Sequence, residues 1–448
     1  MTWSAYIRRL SYASTDTACQ LVSCMVFWYS LNFYSDVFGI SVAVAGNIQL
    51  IARWVDAIDT TVWGIIFDKT RSRWGKSRPW FLWLCLPYAL FGVLTFLTPQ
   101  WSNGAKIAYA ASTYIIFNIL YTGINTPVTS ILSALTSDSR ERTTLNAFRM
   151  FGSKLGVLIV NLSAMRMVAW LGQGDDRKGY MLVAPIFAVS AVGLYLIAFW
   201  NLEEVVHEEK KYQPIGASFK AVVGNWPWLI IFTSSLCFWI AFIARVSLVP
   251  FFFRYVLDRK DLVSLANSLD FISLVTVLLM PFLCRWTSKR TVWAVGLLCM
   301  ALGQVIVWLG IQHGISIPVV MTGWAFGFLA SGMAMAMPFL VLSDSVDYGE
   351  WKTGVRAAGF LTAIGAAFCL KAGAGLGAAL PAHIMDYFGY QPNVTQTARS
   401  LFGIELGFIW LPAVFFVIGA IPVLFYKKYE LMEPQIQADL RARRAASA

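Results

Sequence analysis

Twelve apolar runs of about 20 residues, the length that crosses the hydrocarbon core of a bilayer, recur along this chain of 448 residues and leave room for little else. They fall near residues 11–34, 42–67, 79–98, 107–134, 150–171, 180–201, 227–251, 263–284, 291–312, 316–342, 357–386 and 403–426. Lipid offers the backbone no hydrogen bonds, so each run must satisfy its own N–H and C=O groups as an α-helix. With 58% hydrophobic and 13% charged residues and a mean hydropathy of +0.62, a water-soluble fold of this length is excluded. The expectation is an all-α integral membrane protein of twelve transmembrane helices.

A net charge of +11 raises the question of a nucleic-acid partner. The charge is dealt out loop by loop instead. The loops after helices 2, 4, 6, 8 and 10, with both tails, hold 23 of the 35 Lys and Arg, and the alternate loops hold seven. That asymmetry obeys the positive-inside rule with both termini cytoplasmic, predicts a multi-pass protein of the bacterial inner membrane, and argues against a nucleic-acid surface. Six of the seven cysteines lie inside apolar runs, the exception being Cys284, and the three histidines are scattered, so no metal site or cofactor is expected. The N-terminus has no cleavable-signal pattern.

One stretch breaks the apolar monotony: Asn201 to Trp226 gathers Glu203, Glu204, Glu208, Glu209, Lys210 and Lys211 with Pro214 and Gly216. It divides the chain into residues 1–201, a cytoplasmic linker at 202–226, residues 227–428 and a tail at 429–448. The two long parts echo each other faintly. Arg73-Trp74 through Arg78 and Trp80 follows helix 2, and Arg285-Trp286 through Arg290 and Trp293 follows helix 8. Two parallel six-helix repeats would produce such an echo.

Charge at membrane depth marks function, because a carboxylate there costs at least a few kcal/mol and must turn toward protein or water. The second run carries Arg53, Asp56, Asp59, Thr60 and Trp63 at three- and four-residue steps, one face of a helix. In the first run Asp16 and Gln20 stand one turn apart. Gln20 points to a cavity, and Asp16 either joins it or anchors the helix end. The fourth run brings Tyr121, Thr122 and Asn125 ahead of Pro127, which is read as a kink. Among the basic residues Arg53, Arg149 and Lys371 are the candidates for functional charge, with Arg245 also at depth and Arg166 read as a snorkelling helix end. The polar segment from Ser343 to Arg356, with Asp344, Asp347, Glu350 and Arg356, is expected after helix 10 as a gating charge network. Lys371 sits among glycines at 373, 375 and 377, which permit close helix contact.

Arg53-x-x-Asp56-Ala57, the run Asp68 to Trp80, Tyr121-Thr122-x-x-Asn125-x-Pro127, Asp347 to Arg356 and the lone Lys371 together resemble the glycoside–pentoside–hexuronide:cation symporters, the melibiose permease-like carriers of the major facilitator superfamily. The resemblance covers nearly the whole chain. It implies two six-helix bundles importing a sugar or glycoside together with Na⁺ or H⁺, with no other cofactor, in a lipid bilayer and as a monomer.

By that resemblance Asp56 is the first cation-site aspartate, preceded by Arg53, Thr122 lies near the cation, and Arg149 and Lys371 match the basic residues of helices 5 and 11. The chain also departs from the pattern. The usual second aspartate falls on Thr60, with a carboxylate one place earlier at Asp59, and Gln20 and Asn125 stand where sugar-binding acids are expected. Asp56, Asp59, Thr60 and Thr122 still offer oxygens for a hard cation, yet a lost carboxylate favours a proton. Amides for acids, with Arg149, Lys371 and Arg245 kept, make a positive cavity that suits an acidic sugar such as a uronide or a sulfonated glycoside; the bases pair instead with Asp16, Asp56 and Asp59 if the cavity is balanced. A lysolipid carrier of the same fold is the rival transporter. A membrane glycosyltransferase would need a metal or lipid-phosphate site and a large extramembrane region, so an enzyme is not expected.

Overall fold

Long helices account for nearly all of the chain in the computed structural model, which describes residues 3–136, 138–204, 222, 224–312, 314–354, 361 and 363–447. The principal helices are α1 Trp3–Asn32, α2 Val42–Lys69, α3 Arg78–Leu94, α4 Asn103–Leu135, α5 Ser139–Gly172, α6 Asp176–Asn201, α7 Trp226–Ser247, α8 Ser273–Trp286, α9 Lys289–Gln312, α10 Ile317–Thr353, α11 Cys369–Tyr387, α12 Ala398–Leu424 and α13 Lys427–Ser447. Each of the first twelve overlaps one of the twelve apolar runs; residues 357–360 and 362 of the eleventh run lie outside the described residues. Most of the linker (205–221 and 223), with His207, and also His313 and Arg356, lie outside the described residues.

Among the described residues, eight helices are long and apolar enough to cross a membrane by length and composition alone. α1 and α2, at 30 and 28 residues, are equally long but more polar. The polar residues are sorted by face. On α2, Ile51, Trp54, Ile58, Val62 and Ile65 are all exposed, a stripe at helical spacing fit for lipid, while Asp56 and Asp59 are buried.

Two helical stretches run beyond the apolar spans. The segment 343–353 is no loop: α10 continues unbroken to Thr353, through Pro338 and Gly349, and ends only at Gly354. Gly354 adopts the left-handed conformation (φ 73°), and its N–H closes the helix on the Glu350 carbonyl at 2.8 Å. The tail after residue 428 is likewise helical, and α13 packs against α10 through buried Tyr429, Ile436 and Leu440.

The chain forms two compact units. The first comprises residues 1–210, 246–268 and 382–404. Within it α1 packs on α5 and α6, α2 on α4, and α3 on α4 and α6. Glycine lets α1 and α5 touch backbone to backbone: a methyl at Gly152 would stand 2.4 Å from the Ala13 carbonyl oxygen, and Thr17 Oγ1 donates to the Gly152 carbonyl at 2.9 Å.

The second unit comprises residues 211–245, 269–381 and 405–448. There α9 packs on α10 and α12, and α8 on α10. The glycines beside Lys371 serve as expected. A methyl at Gly377 would lie 2.5 Å from the Ile240 carbonyl oxygen, and one at Gly373 would lie 2.5 Å from Trp239 Cβ, so α11 and α7 run in contact.

Each unit repeats one device. In the first, Glu204, just past α6, accepts the backbone N–H groups of Lys76, Ser77 and Arg78 at 2.9, 2.6 and 2.7 Å, capping the start of α3. In the second, Glu430, just past α12, accepts the N–H of Arg290 at 2.9 Å near the start of α9. A carboxylate at a helix N-terminus answers both the orphan donors and the helix dipole. The same contact six helices apart supports the repeat first suggested by the Arg-Trp echo.

At the N-terminus, Glu141 receives Arg9 at 2.6 Å and Arg8 at 3.3 Å. Hydrogen bonding from Arg9 holds its carboxyl below the usual carboxylate range. This tie is therefore intact at neutral pH and is lost as pH falls through that lowered value. Replacing Glu204 with alanine strands three backbone donors, which predicts a loss of about 1–3 kcal/mol. A thermal-stability measurement on the purified protein in detergent should show an apparent midpoint several degrees lower, while Glu203→Ala, at an exposed position, leaves it unchanged.

Candidate site around Asp56

The centre of the first unit's polar face is Asp56, 1% exposed on α2. Thr122 Oγ1 on α4 donates to its Oδ1 at 2.5 Å. Arg53, one turn earlier, brings Nη1 to 3.5 Å from Oδ2. A carboxylate removed from water needs such partners, and here one comes from its own helix and one from the neighbour.

The neighbouring helix is fixed in register. Trp63 Nε1 donates to the Ile119 carbonyl at 2.9 Å, and its ring occupies the notch left by Gly123, where a methyl would approach the ring to 2.5 Å. Helix packing therefore places Thr122 opposite Asp56. On the other side, the Arg53 guanidinium lies 4.4 Å over the Phe27 ring of α1, and Phe27 meets the edge of Tyr121 with centroids 5.1 Å apart. Arg53, Phe27 and Tyr121 form a continuous row, and Asn125 is half-buried one turn beyond Tyr121 on α4.

Asp59 and Thr60 part company. Asp59 is buried, at 7% exposure, whereas Thr60 is exposed, its hydroxyl donating to the Asp56 carbonyl at 2.9 Å with Asp59 Oδ1 at 3.5 Å. The position where the family pattern expects a second carboxylate thus turns outward, and the carboxylate one residue earlier turns in.

A second cluster lies where α1 meets α5. Asp16, 7% exposed, pairs with Arg149, whose Nη1 stands 3.5 Å from Oδ2, and Asn146 accepts from Arg149 Nε at 3.3 Å. Gln20, one turn along, donates to Ser153 Oγ at 3.1 Å and accepts from Ser23 at 3.2 Å. Asp16 is therefore an interior partner of Arg149.

The remaining candidates belong to the second unit. Arg245 is 1% exposed and walled in, its guanidinium 4.0 Å over the Trp324 ring and 4.7 Å over Phe328. Gly327 makes the room, since a methyl there would stand 2.9 Å from Nη1. Asp270, in a 3₁₀ turn at Leu269–Ile272, acts on Arg245 electrostatically and was not singled out from the sequence. Lys371 is half-buried on α11. Asp344 accepts Lys289 Nζ at 2.7 Å and the Tyr426 hydroxyl at 2.6 Å, Asp347 accepts from Gln437 at 2.8 Å, and Glu350 is half-buried near the end of α10.

The geometry is a buried carboxylate beside a hydroxyl, a guanidinium and an aromatic row, the makings of a cation site next to a surface for a hydroxylated ring. Comparison with known proteins identifies the family. The chain is 40% identical over 447 residues to an isoprimeverose transporter of Lactiplantibacillus pentosus, covering 99% of this chain and 92% of that one. It is 29% identical to a putative glycoside/cation symporter of Escherichia coli, covering 98% and 95%. Among solved structures, a bacterial homologue of the lysosomal transporter Spinster superposes with a TM-score of 0.75 at 13% identity, covering 96% and 98%, which is a likeness of fold. The family described as MFS/sugar transport protein matches residues 11–428, so the chain belongs to that family and is a membrane transporter of the major facilitator fold, not an enzyme.

Proposed function

We propose that the protein imports a neutral glycoside by symport with a proton taken up at Asp56. The observation that carries this reading is the pairing of charge in the first unit. Arg53 stands against Asp56 and Arg149 against Asp16, so the guanidinium groups are answered and leave little surplus to hold an acidic sugar. Gln20 and Asn125 then meet sugar hydroxyls as neutral hydrogen-bonding groups, with Tyr121 as a ring platform. Isoprimeverose, the cargo in the relative's name, is the first glycoside to test.

Proton coupling is favoured over Na⁺ by the count of oxygens. A hard cation wants several oxygen ligands, and the Thr60 hydroxyl makes its shorter contact with the Asp56 backbone carbonyl at 2.9 Å, with Asp59 Oδ1 at 3.5 Å. A proton needs one carboxyl. Protonation of Asp56 removes the attraction that holds the Arg53 guanidinium to its carboxylate, freeing the guanidinium over Phe27 to shift toward the sugar. Linkage makes the effect mutual, so bound sugar raises the affinity for the proton by the same factor. Lys371 is a proposed substrate-binding residue, and Asp344, Asp347 and Glu350 are the proposed gating acids. The carrier works in the bacterial inner membrane with both termini cytoplasmic, as a monomer and without a nucleic-acid partner.

The test is uptake into proteoliposomes with a pH gradient and a Na⁺ gradient imposed separately. Isoprimeverose should accumulate under the pH gradient, and Asp56→Asn should abolish accumulation while leaving exchange of sugar for sugar. Accumulation driven by Na⁺ alone would overturn the choice of ion. Thr122→Val removes the donor to Asp56 and should lower coupled uptake by roughly tenfold, as expected for a hydrogen bond to a charged group. In competition assays a glucuronide should inhibit far less than a neutral glycoside. Arg149→Gln should weaken uptake of both alike, because it strands Asp16, and a selective loss of the acidic sugar would restore the positive-cavity reading.

A further inference from the structure

The most completely satisfied buried acid outside the Asp56 site is Asp36, at the end of α1. Its side chain is sealed from solvent at 0% exposure. Oδ1 accepts the hydroxyls of Ser35 at 2.7 Å and Tyr390 at 2.5 Å, and Oδ2 accepts the Tyr255 hydroxyl at 2.6 Å and Arg254 Nη1 at 3.1 Å. Asn393 adds Nδ2 to the Asp36 carbonyl oxygen at 2.5 Å and accepts Arg254 Nη2 at 2.9 Å. A carboxylate has about four acceptor positions, and all four are filled.

The donors come from far away in the chain. Ser35 is adjacent, but Arg254 and Tyr255 follow α7, and Tyr390 and Asn393 follow α11, 218 to 357 residues from Asp36. All of these residues belong to the first unit. Both contacting segments near Asp36 and Arg254 are π-helical turns, Phe33–Val37 and Phe252–Val256, and such turns gather at working parts of helices. Each turn re-aims a side chain that a regular helix would carry elsewhere.

A second contact lies two turns down α1. Asn267 Nδ2 donates to the Tyr29 hydroxyl at 3.0 Å, and Asn161 Nδ2 on α5 donates to the Asn267 carbonyl at 3.1 Å. Cys24 sits against that layer, its Sγ 3.6 Å from Asn161 Oδ1. Every contact here is polar and is replaceable by water once the segments part. A buried carboxylate with its donors withdrawn cannot stay dry, so the arrangement has two states, fully made or hydrated.

We propose that Asp36 is a latch that holds the ends of α7 and α11 against the end of α1, and that the carrier must break it to admit sugar from outside. Asp36 is a positioning residue and touches no sugar or coupling ion. The outward placement rests on the orientation proposed above, with both termini cytoplasmic. The latch itself does not depend on which sugar or ion is carried.

Two variants keep the shape of the latch while weakening it, Asp36→Asn and Tyr390→Phe. Each is made in a carrier retaining only Cys24, and in parallel in one retaining only Cys369, a buried cysteine of the second unit. A membrane-impermeant maleimide is added to right-side-out vesicles. Both variants should raise the labelling rate of Cys24 by about tenfold, the factor expected for one hydrogen bond to a charged group, and leave Cys369 unchanged. Net uptake should fall while sugar-for-sugar exchange is largely kept, since exchange does not require the empty carrier to reset. Unchanged Cys24 labelling in both variants would overturn the proposal. So would equal increases at Cys24 and Cys369, which would show general loosening, or a rise in the sugar KM with no change in labelling, which would make Asp36 a ligand. Failure of the proton reading would appear in the gradient experiment and leave these labelling rates untouched.

Discussion

A charge placed among membrane helices must be answered by protein, because lipid cannot answer it, and this requirement organises the molecule. Asp56 is answered by Thr122 and Arg53, Asp16 by Arg149, Asp36 by two tyrosines, a serine and an arginine, and Asp344 by Lys289 and Tyr426. In each case at least one partner lies on another helix or segment, so electrostatic satisfaction and helix packing are the same event. The apolar stripe of α2 from Ile51 to Ile65 is the complement: once Asp56 is turned inward, the opposite face is left for lipid.

Close packing makes those pairings possible. Gly152 brings α5 onto α1 closely enough for Arg149 to reach Asp16, and Gly123 receives Trp63 so that Thr122 faces Asp56. Side chains larger than hydrogen at these points would hold the helices apart and strand a carboxylate. The glycines and the acids are thus parts of one arrangement.

Much of this was legible in the residues. Each of the twelve apolar runs overlaps a helix among the described residues, and Arg53 and Asp56 share a face of α2 as their spacing implied, whereas Thr122 was linked to them only by the family resemblance. Other parts were not. The segment from Ser343 lies beyond the apolar run, so its helical form was not legible; Asp344 and Asp347 are answered by Lys289, Tyr426 and Gln437, and nothing before Gly354 stops the helix. Asp36 drew no notice, being a lone acid at the end of a span, with its donors more than 200 residues away. Arg245 seemed a candidate for the sugar, and its aromatic walls, Trp324 and Phe328, are visible only once α10 lies beside it.

The sequence by itself determined the class of fold, the number of spans, and which face of α2 must avoid lipid, because these follow from local periodicity and from the cost of burying charge. Tertiary structure decided which base answers which acid, that Asp59 turns inward while Thr60 turns out, and that the ends of α1, α7 and α11 converge on Asp36. Those outcomes depend on distances between residues far apart in the chain, set by helix crossings and by π-helical turns, and no local pattern encodes them.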